Sequence, residues 1–367
     1  MGYTSGVIIK LKLTDFRNFK NKILEFNPGI NIIMGPNGAG KTNILESIYL
    51  SSTGKSFKAR TEPEMINYKK DIARVKARIK HDGDFSDLET VITRGLIDIG
   101  DGNPQKVAKK KLIRDGIPKR LIDFAGSFKV VLFGPWDMDL VTGSPSLRRR
   151  FLDSVLSQTD REYRRSILSY EKGLRQRNRL LWKIREGMTP PNQLTFWNQL
   201  LVKNGDYITQ KREDFIAFVN TTNKYKFQIN TNYQLEYDKS VISEGRLDQY
   251  KNEEIAAATT LVGPHRDDMQ FKIKNLKLKI SRDLAAYGSR GEQRMGILWL
   301  KMAELSFIEN SCGERPTLLL DDIFSELDKE HREIVMDIVG SQQTIITTAD
   351  EKLPREFKKV ERIVLSS

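Results

Sequence analysis

Cysteine is nearly absent: Cys312 stands alone in a chain of 367 residues. No internal disulfide can form, and three histidines (His81, His265, His331) with one cysteine supply no zinc-type cluster. No apolar run approaches the ~20 residues that a membrane helix needs. Met1 to Gly6 has no apolar core, so no signal peptide is expected. Internal repeats and low-complexity tracts are also missing. Together these gaps exclude a disulfide-stapled module and a zinc ribbon. They point to a chain working in a reducing cytoplasm, with no membrane partner.

What is present is ordinary for a globular protein: 39% apolar and 30% charged residues, enough chain for a real core in two lobes. The net charge of +13 favours acidic partners. Without an amphipathic anchor, nucleic acid is the better candidate than a membrane surface.

The opening reads as strands: Val7 to Leu13, Ile23 to Phe26, and Ile30 to Met34 after Gly29. Asn43 to Leu50 spaces Ile44, Leu45, Ile48 and Tyr49 for one buried helix face. Arg74 to Lys80 alternates strictly, as a half-exposed strand does, with Leu88 to Arg94 as its hairpin partner and a turn over Ile97 to Gln105. Val130 to Phe133 is a short buried strand. From Ser146 to about Val219 the spacing is helical, with Tyr163, Ile167, Tyr170 and Leu174 recurring and arginines (148, 149, 150, 161, 164, 165, 175, 177, 179) on the other faces. Strand and helix return from Ala256, with Thr317–Leu320 and Thr344–Thr347 as buried parallel strands. The expected division is an N-terminal half of an α/β domain (1–145), a mainly helical insert (146–255) and the C-terminal half of the α/β domain (256–367).

Two distant motifs carry chemistry. Gly35-Pro36-Asn37-Gly38-Ala39-Gly40-Lys41-Thr42 fits GxxxxGK[ST] at every fixed position, after a strand and before a helix. Consecutive backbone N–H groups there would cradle phosphates, Lys41 would reach the β- and γ-phosphates, and Thr42 would ligate Mg²⁺. Far along the chain, Thr317 to Leu320 ends at Asp321 and Asp322. Asp321 is placed to hold Mg²⁺ and Asp322 to orient or deprotonate the attacking water, unless the pair merely caps the next turn. Between them lies Ser289-Arg290-Gly291-Glu292-Gln293. It reads as a signature loop of the ABC class, with Ser289 donating to a γ-phosphate and Gly291 allowing close approach. Taken alone it reads more readily as a helix N-cap, and the two can coexist because a helix N-terminus is itself an anion site. Ser325-Glu326-Leu327-Asp328 is either a loop at a dimer interface or the cap of the next helix.

These residues together resemble the RecF family of bacterial recombinational DNA-repair proteins, relatives of SMC-type ATPases without the long arms. The likeness covers nearly the whole chain. It rests on Asp15-Phe16-Arg17-Asn18-Phe19, the P-loop, Ser52 to Phe57, Phe133 to Asp137 through Gly143-Ser144-Pro145, Arg148 to Asp153, Gly263 to Asp268, Ser289 to Arg294 and Leu318 to Asp328. The resemblance implies an α/β ABC/SMC-type P-loop ATPase head with an inserted helical lobe. It implies that Arg17 and Asn18 line the nucleotide site. Ser289 would meet the γ-phosphate held by the P-loop of a second subunit, so that ATP glues two heads into a homodimer. DNA, at single-strand gaps or single/double-strand junctions, would bind across that dimer. Weak, DNA-stimulated hydrolysis of ATP would then release it. The family acts with RecR and RecO to load RecA.

The chain also departs from the family pattern. Arg290 and Glu292 stand where glutamines are common, and Met295 where a small polar residue is usual. A glutamate facing phosphate is repelled, so the Glu292 side chain is expected to point away. Phe133 to Asp137 lacks the metal-sensing glutamine of SMC-like heads, and Thr347 or Thr348 takes the place of the ABC switch histidine. Slow turnover is the expected result. His265 is read as a structural hydrogen-bonding residue, and Arg148 to Arg150 as either a solvated helix start or a DNA contact. The rival function is a defence ATPase or nuclease subunit of the overcoming-lysogeny type. It would need a Toprim-like acidic cluster, for which too little chain is expected after Thr348. A scaffold with a dead site is the third reading, and intact Lys41, Thr42, Asp321 and Asp322 argue against it.

Overall fold

The computed structural model describes residues 6–97, 105–226, 233–275, 280–325, 327 and 329–365. The chain divides into two units, Met1–Asp137 with Ile308–Ser367, and Met138–Phe307. Among the described residues no helix is long and apolar enough to cross a membrane.

Among the described residues the first unit holds two large sheets and a two-stranded ribbon. One is antiparallel, in the order Phe19–Glu25, Val7–Phe16, Ile72–His81, Asp84–Thr93, Lys110–Arg114, Ile117–Lys119. Its strands bury one face only. Ala73, Val75, Ala77 and Ile79 point inward while Arg74, Lys76, Arg78 and Lys80 face water, the period of two expected from the sequence. Two of its hairpins turn on Asp82-Gly83 (φ 49° and 93°) and Asp115-Gly116 (φ 52° and 77°). Such paired positive φ values match the twist of the flanking strands, and Asp-Gly adopts them at low cost. Leu96–Ile97 pairs with Gln105–Lys106, and the turn expected over Ile97 to Gln105 falls on residues 98–104, outside the described residues.

The second sheet is parallel throughout, in the order Val130–Phe133, Thr317–Asp321, Thr344–Thr348, Ile30–Met34, Glu361–Val364. Thr317–Asp321 and Thr344–Thr348 are buried along their whole length. That is why they read as continuous apolar or threonine runs rather than alternating ones. Helix Lys41–Thr53 fills the space between the sheets. Its Ile44, Leu45, Ile48 and Leu50 share one buried cluster with Val75 and Ala77 of the antiparallel sheet and Leu319 and Ile345 of the parallel one.

The second unit is built on helices Pro145–Thr159, Arg161–Arg185 and Thr195–Lys226. Asp160 starts the long one: its Oδ1 accepts from the N–H groups of Glu162 (2.8 Å) and Tyr163 (3.0 Å). Tyr163, Ile167 and Tyr170 are buried as their spacing predicts. A three-stranded antiparallel sheet follows, in the order Tyr233–Asp238, Asp268–Asn275, Ile280–Asp283. Because Tyr233–Asp238 pairs along its whole length with Asp268–Asn275, the segment after residue 255 folds with the helices. This unit therefore runs to Phe307, and the expected boundary at 255/256 is not where the structure divides.

The arginines of this unit are not all on solvated faces, which corrects the sequence reading. Arg148 is buried and grips the Asp268 carboxylate through Nε (2.7 Å) and Nη2 (2.9 Å). It is neither a solvated helix start nor an open phosphate contact. Arg149 donates to the Asp267 carbonyl (2.7 Å), and Arg150 alone of the three is exposed. Arg177 is buried with Glu254 (2.6 Å), Asn198 (2.7 Å) and Thr260 (2.8 Å). Arg212 is buried between Asp153 (2.8 Å) and Asp267 (2.9 Å). A buried guanidinium is tolerated only when its charge and its N–H groups are met, and here they are.

Candidate functional site

The P-loop begins at the carboxyl end of Ile30–Met34 and runs into helix Lys41–Thr53. Gly40, which caps the helix, has φ 98°, and a Cβ there would lie 2.7 Å from the Asn18 side chain and the Phe19 ring. Only glycine fits both the backbone and the space. Lys41 is buried and donates to the carbonyls of Gly35 (2.6 Å) and Pro36 (3.1 Å), lying along the loop it belongs to.

Strand Thr344–Thr348 separates the P-loop strand from Thr317–Asp321, and Thr347 pairs in register with both Ile33 and Asp321. The carboxyl ends of three parallel strands thus converge, the place where open α/β sheets bind ligands. Thr42 Oγ1 donates to the Asp321 carboxylate (2.8 Å to Oδ2), and Thr347 Oγ1 donates to Asp321 Oδ1 (2.5 Å). Asp321 is buried, and the two hydroxyls satisfy its carboxylate oxygens and fix its rotamer. Asp322 adopts φ 51°, a left-handed conformation that Asp accepts better than most residues. Its N–H is held by the carbonyl (3.1 Å) and hydroxyl (3.2 Å) of Thr347. Thr347, suggested only as a stand-in for a switch histidine, is therefore the clamp that sets both aspartates. Thr348 Oγ1 accepts from the Asp350 N–H (2.9 Å) instead.

Arg17 and Asn18 form the two-residue tip between strands Val7–Phe16 and Phe19–Glu25. Asn18 Nδ2 donates to the Ala39 carbonyl (3.2 Å), and Asn43 Nδ2 donates to Asn18 Oδ1 (2.9 Å), so Asn18 rests on the P-loop. Arg17 is committed otherwise. Its guanidinium makes a two-point contact with Glu46 of the P-loop helix (2.8 and 2.6 Å) and donates to the Glu64 carbonyl (2.6 Å). Ser56 Oγ adds a bond to Glu46 (2.5 Å). Arg17 also has φ 52°, which is strained for arginine and is held by those contacts. Glu46 was missed in the sequence, although a carboxylate inside the apolar stretch Ile44 to Ile48 was a signal of buried pairing.

In the second unit, helix Arg290–Cys312 starts at Ser289. The Glu292 side chain does not point away. Its carboxylate folds back to accept from the Ser289 N–H (2.7 Å) and hydroxyl (2.8 Å), while Ser289 Oγ accepts from the Glu292 N–H (3.3 Å). The expectation failed because the helix start leaves N–H donors without partners, and the nearest acceptor is this carboxylate. Gln293 Nε2 reaches the carbonyls of Leu284 (3.2 Å) and Gly288 (3.3 Å). Nothing lies within 4 Å of where a Gly291 Cβ would stand, so the open surface there is free for a close approach.

The RecF/RecN/SMC N terminal domain family matches residues 7–366. The chain is 34% identical to the DNA replication and repair protein RecF of Lachnoclostridium phytofermentans, over 93% of this chain and 92% of that one. The chain belongs to the RecF family. The RecF protein of Alkaliphilus oremlandii is likewise 34% identical, with 98% and 97% covered. Among solved structures, the recombination mediator protein RecF-ATP of the RecFOR pathway superposes with a TM-score of 0.82 at 29% identity, covering 95% of this chain and 94% of that one. The Smc head domain of Pyrococcus furiosus gives a TM-score of 0.52 at 16% identity, a likeness of fold alone. The α/β SMC-type head expected from the sequence is therefore the architecture found.

Other blocks of the family likeness have structural roles. Trp136 stacks on Phe57 (centroids 5.0 Å apart, 23° between planes), and Asp137 is buried with its Oδ2 accepting from the Gly134 N–H (2.9 Å). His265 sits between the Tyr170 hydroxyl (2.8 Å) and the Thr260 carbonyl (3.0 Å). Burial pushes its pKa down from 6.5 to about 4, with the nearby Arg266 and Arg149 charges adding to the effect. It is a neutral structural bridge, as its sequence setting suggested. Ser325 Oγ donates to the Asp322 carbonyl (2.7 Å), while Glu326 and Asp328 lie outside the described residues.

Proposed function

We propose that this chain is an ATP-dependent DNA-binding protein of recombinational gap repair and replication-fork recovery. The observation that carries the reading is the join between the two motifs: Thr42 of the P-loop donating to Asp321, with Asp322 held beside it. The +13 net charge supports a nucleic-acid partner. Likeness to RecF proteins, including one solved with ATP, supports the nucleotide.

In this reading ATP is the substrate, with its phosphates on the backbone N–H groups of Gly35 to Thr42 and on Lys41, which must leave the carbonyls of Gly35 and Pro36. One hydroxyl and one carboxylate, 2.8 Å apart, fit Mg²⁺, which is commonly held by few side chains together with phosphates and water. Thr42 and Asp321 would hold it, and when bound it would neutralise charge on the phosphate oxygens. Asp322 orients the water and accepts its proton. Ser289 of one copy meets the γ-phosphate on a second copy, exchanging its bond to Glu292 for one to phosphate. ATP thereby gates a homodimer that clamps DNA, at gaps or single/double-strand junctions. Weak, DNA-stimulated hydrolysis opens it, and the clamp assists RecA loading with RecO and RecR.

The test is Asp322→Asn on a gapped duplex, with and without ATP and Mg²⁺, reading particle mass and DNA binding together. ATP doubling the mass and tightening DNA binding in the same titration is expected. DNA binding that ignores ATP, or a mass that never doubles, overturns the clamp.

A further inference from the structure

Ser289 offers two donors at the start of helix Arg290–Cys312, its backbone N–H and its hydroxyl. Both end on one oxygen. Glu292 Oε2 accepts from the N–H at 2.7 Å and from the hydroxyl at 2.8 Å. In the two-copy reading, the γ-phosphate calls on these same donors. A phosphate held by a second copy therefore meets a carboxylate of its own sign already seated on them.

The backbone around this contact is held without it. Gln293 Nε2 donates to the carbonyls of Leu284 (3.2 Å) and Gly288 (3.3 Å), and the Gln293 N–H donates to the Ser289 carbonyl (2.9 Å). The Tyr233 hydroxyl donates to the Glu292 carbonyl (3.0 Å). Burial, with the Glu292 charge adding to it, pushes that hydroxyl up to about 12, so it stays a donor at neutral pH. Freeing Ser289 thus needs a swing of the Glu292 side chain and no unwinding of the helix. Ser289, Arg290, Gly291 and Glu292 are all exposed, which leaves room for the swing. Glu292 stands three residues from Ser289, so it competes as an intramolecular ligand, with an effective concentration on the order of mM or above. The helix N-terminus favours its charge as well. Glutamine at this place keeps the same capping geometry, yet it is neutral, accepts a weaker bond and does not repel phosphate.

We propose that Glu292 is an autoinhibitory contact: a tethered anion that withholds Ser289 from the phosphate and raises the protein concentration at which two copies join on ATP. It rests on the two-copy ATP reading above and adds to it the residue that regulates the joining. In a two-fold pair the same contact occurs twice, so both copies must release it for the pair to close.

The experiment follows particle mass by light scattering against protein concentration, in saturating ATP and Mg²⁺. The parent is the full chain carrying Asp322→Asn, so that the nucleotide persists. Glu292→Gln, Glu292→Ala and Ser289→Ala/Glu292→Gln are compared in that parent, with thermal unfolding recorded for each. Glu292→Gln is expected to lower the concentration of half-doubling by roughly 10- to 100-fold, with little change in melting temperature. Glu292→Ala should melt earlier through the lost cap and still double at a lower concentration than the parent. That pairing of signs separates an inhibitor from a residue that merely organises the loop. Ser289→Ala should cancel the gain of Glu292→Gln. Equal half-doubling for glutamate and glutamine, an alanine variant that doubles less readily than the parent, or a gain that survives Ser289→Ala each overturns the proposal and leaves the two-copy reading intact. A mass that doubles in none of these proteins overturns both.

Discussion

Replacing Thr347 by valine removes one hydroxyl and keeps the shape. That hydroxyl donates to the buried Asp321 carboxylate (2.5 Å) and accepts from the Asp322 N–H (3.2 Å). A hydrogen bond to a charged group contributes about 1.5–3 kcal/mol. The Asp322 N–H keeps the Thr347 carbonyl (3.1 Å), so the second loss is small. Thr347→Val should therefore cost the first unit about 2 kcal/mol, and Thr347→Ser much less. With Thr42 the one described side chain still bonded to its carboxylate, Asp321 gains rotameric freedom. ATP turnover should fall by about tenfold or more, equivalent to at least ~1.4 kcal/mol of transition-state stabilisation. Stability is read by urea unfolding with pulse proteolysis, turnover by phosphate release. A valine variant with wild-type stability and turnover, or a serine variant as impaired as valine, would refute the clamp assigned to Thr347.

Three further outcomes are expected. Arg177→Met leaves the Glu254 carboxylate buried without its cation and should cost the second unit about 3–5 kcal/mol, of which Arg177→Met/Glu254→Leu recovers a large part in urea unfolding. His265 is neutral when folded down to about pH 4 but takes a proton near 6.5 when unfolded. The unfolded state thus binds more protons in that window, and stability should fall with pH between 6.5 and 4, by up to about 3 kcal/mol. His265→Gln should lose that slope, and melting curves at pH 7 and pH 5 that shift equally in both proteins would contradict it. Ser289→Ala should abolish the ATP-dependent doubling of mass while costing only about 1 kcal/mol through the lost helix cap, measured by light scattering and thermal unfolding.

The parts of this architecture built on local rules were legible in the sequence. The P-loop needs particular glycines in a strand-to-helix turn, and Arg74 to Lys80 shows its half-buried face by alternation. Threonine-rich Thr344 to Thr347 was readable as a buried strand, one residue short of its observed end at Thr348. What escaped was pairing between distant residues. Arg148 and Arg177 look like surface charges until Asp268 and Glu254, far along the chain, are brought to them. Composition cannot reveal that match, since an arginine carries the same charge paired or free. Glu292 failed for a different reason. Its repulsion from phosphate was weighed, while its attraction to the unpaired N–H of Ser289, one turn back on the same helix, was not.

The strand that carries the P-loop has a consequence for synthesis. Ile30–Met34 lies between Thr344–Thr348 and Glu361–Val364, so both of its neighbours come from the far end of the chain. A ribosome adding ~5–20 residues per second releases this strand early and its partners last. Met138–Phe307 is continuous in sequence and can complete its own core in the meantime. A chain interrupted before Thr344 carries every residue of the P-loop but lacks Thr347 and the sheet that holds the loop rigid. The P-loop strand thus gains its sheet neighbours only late in translation.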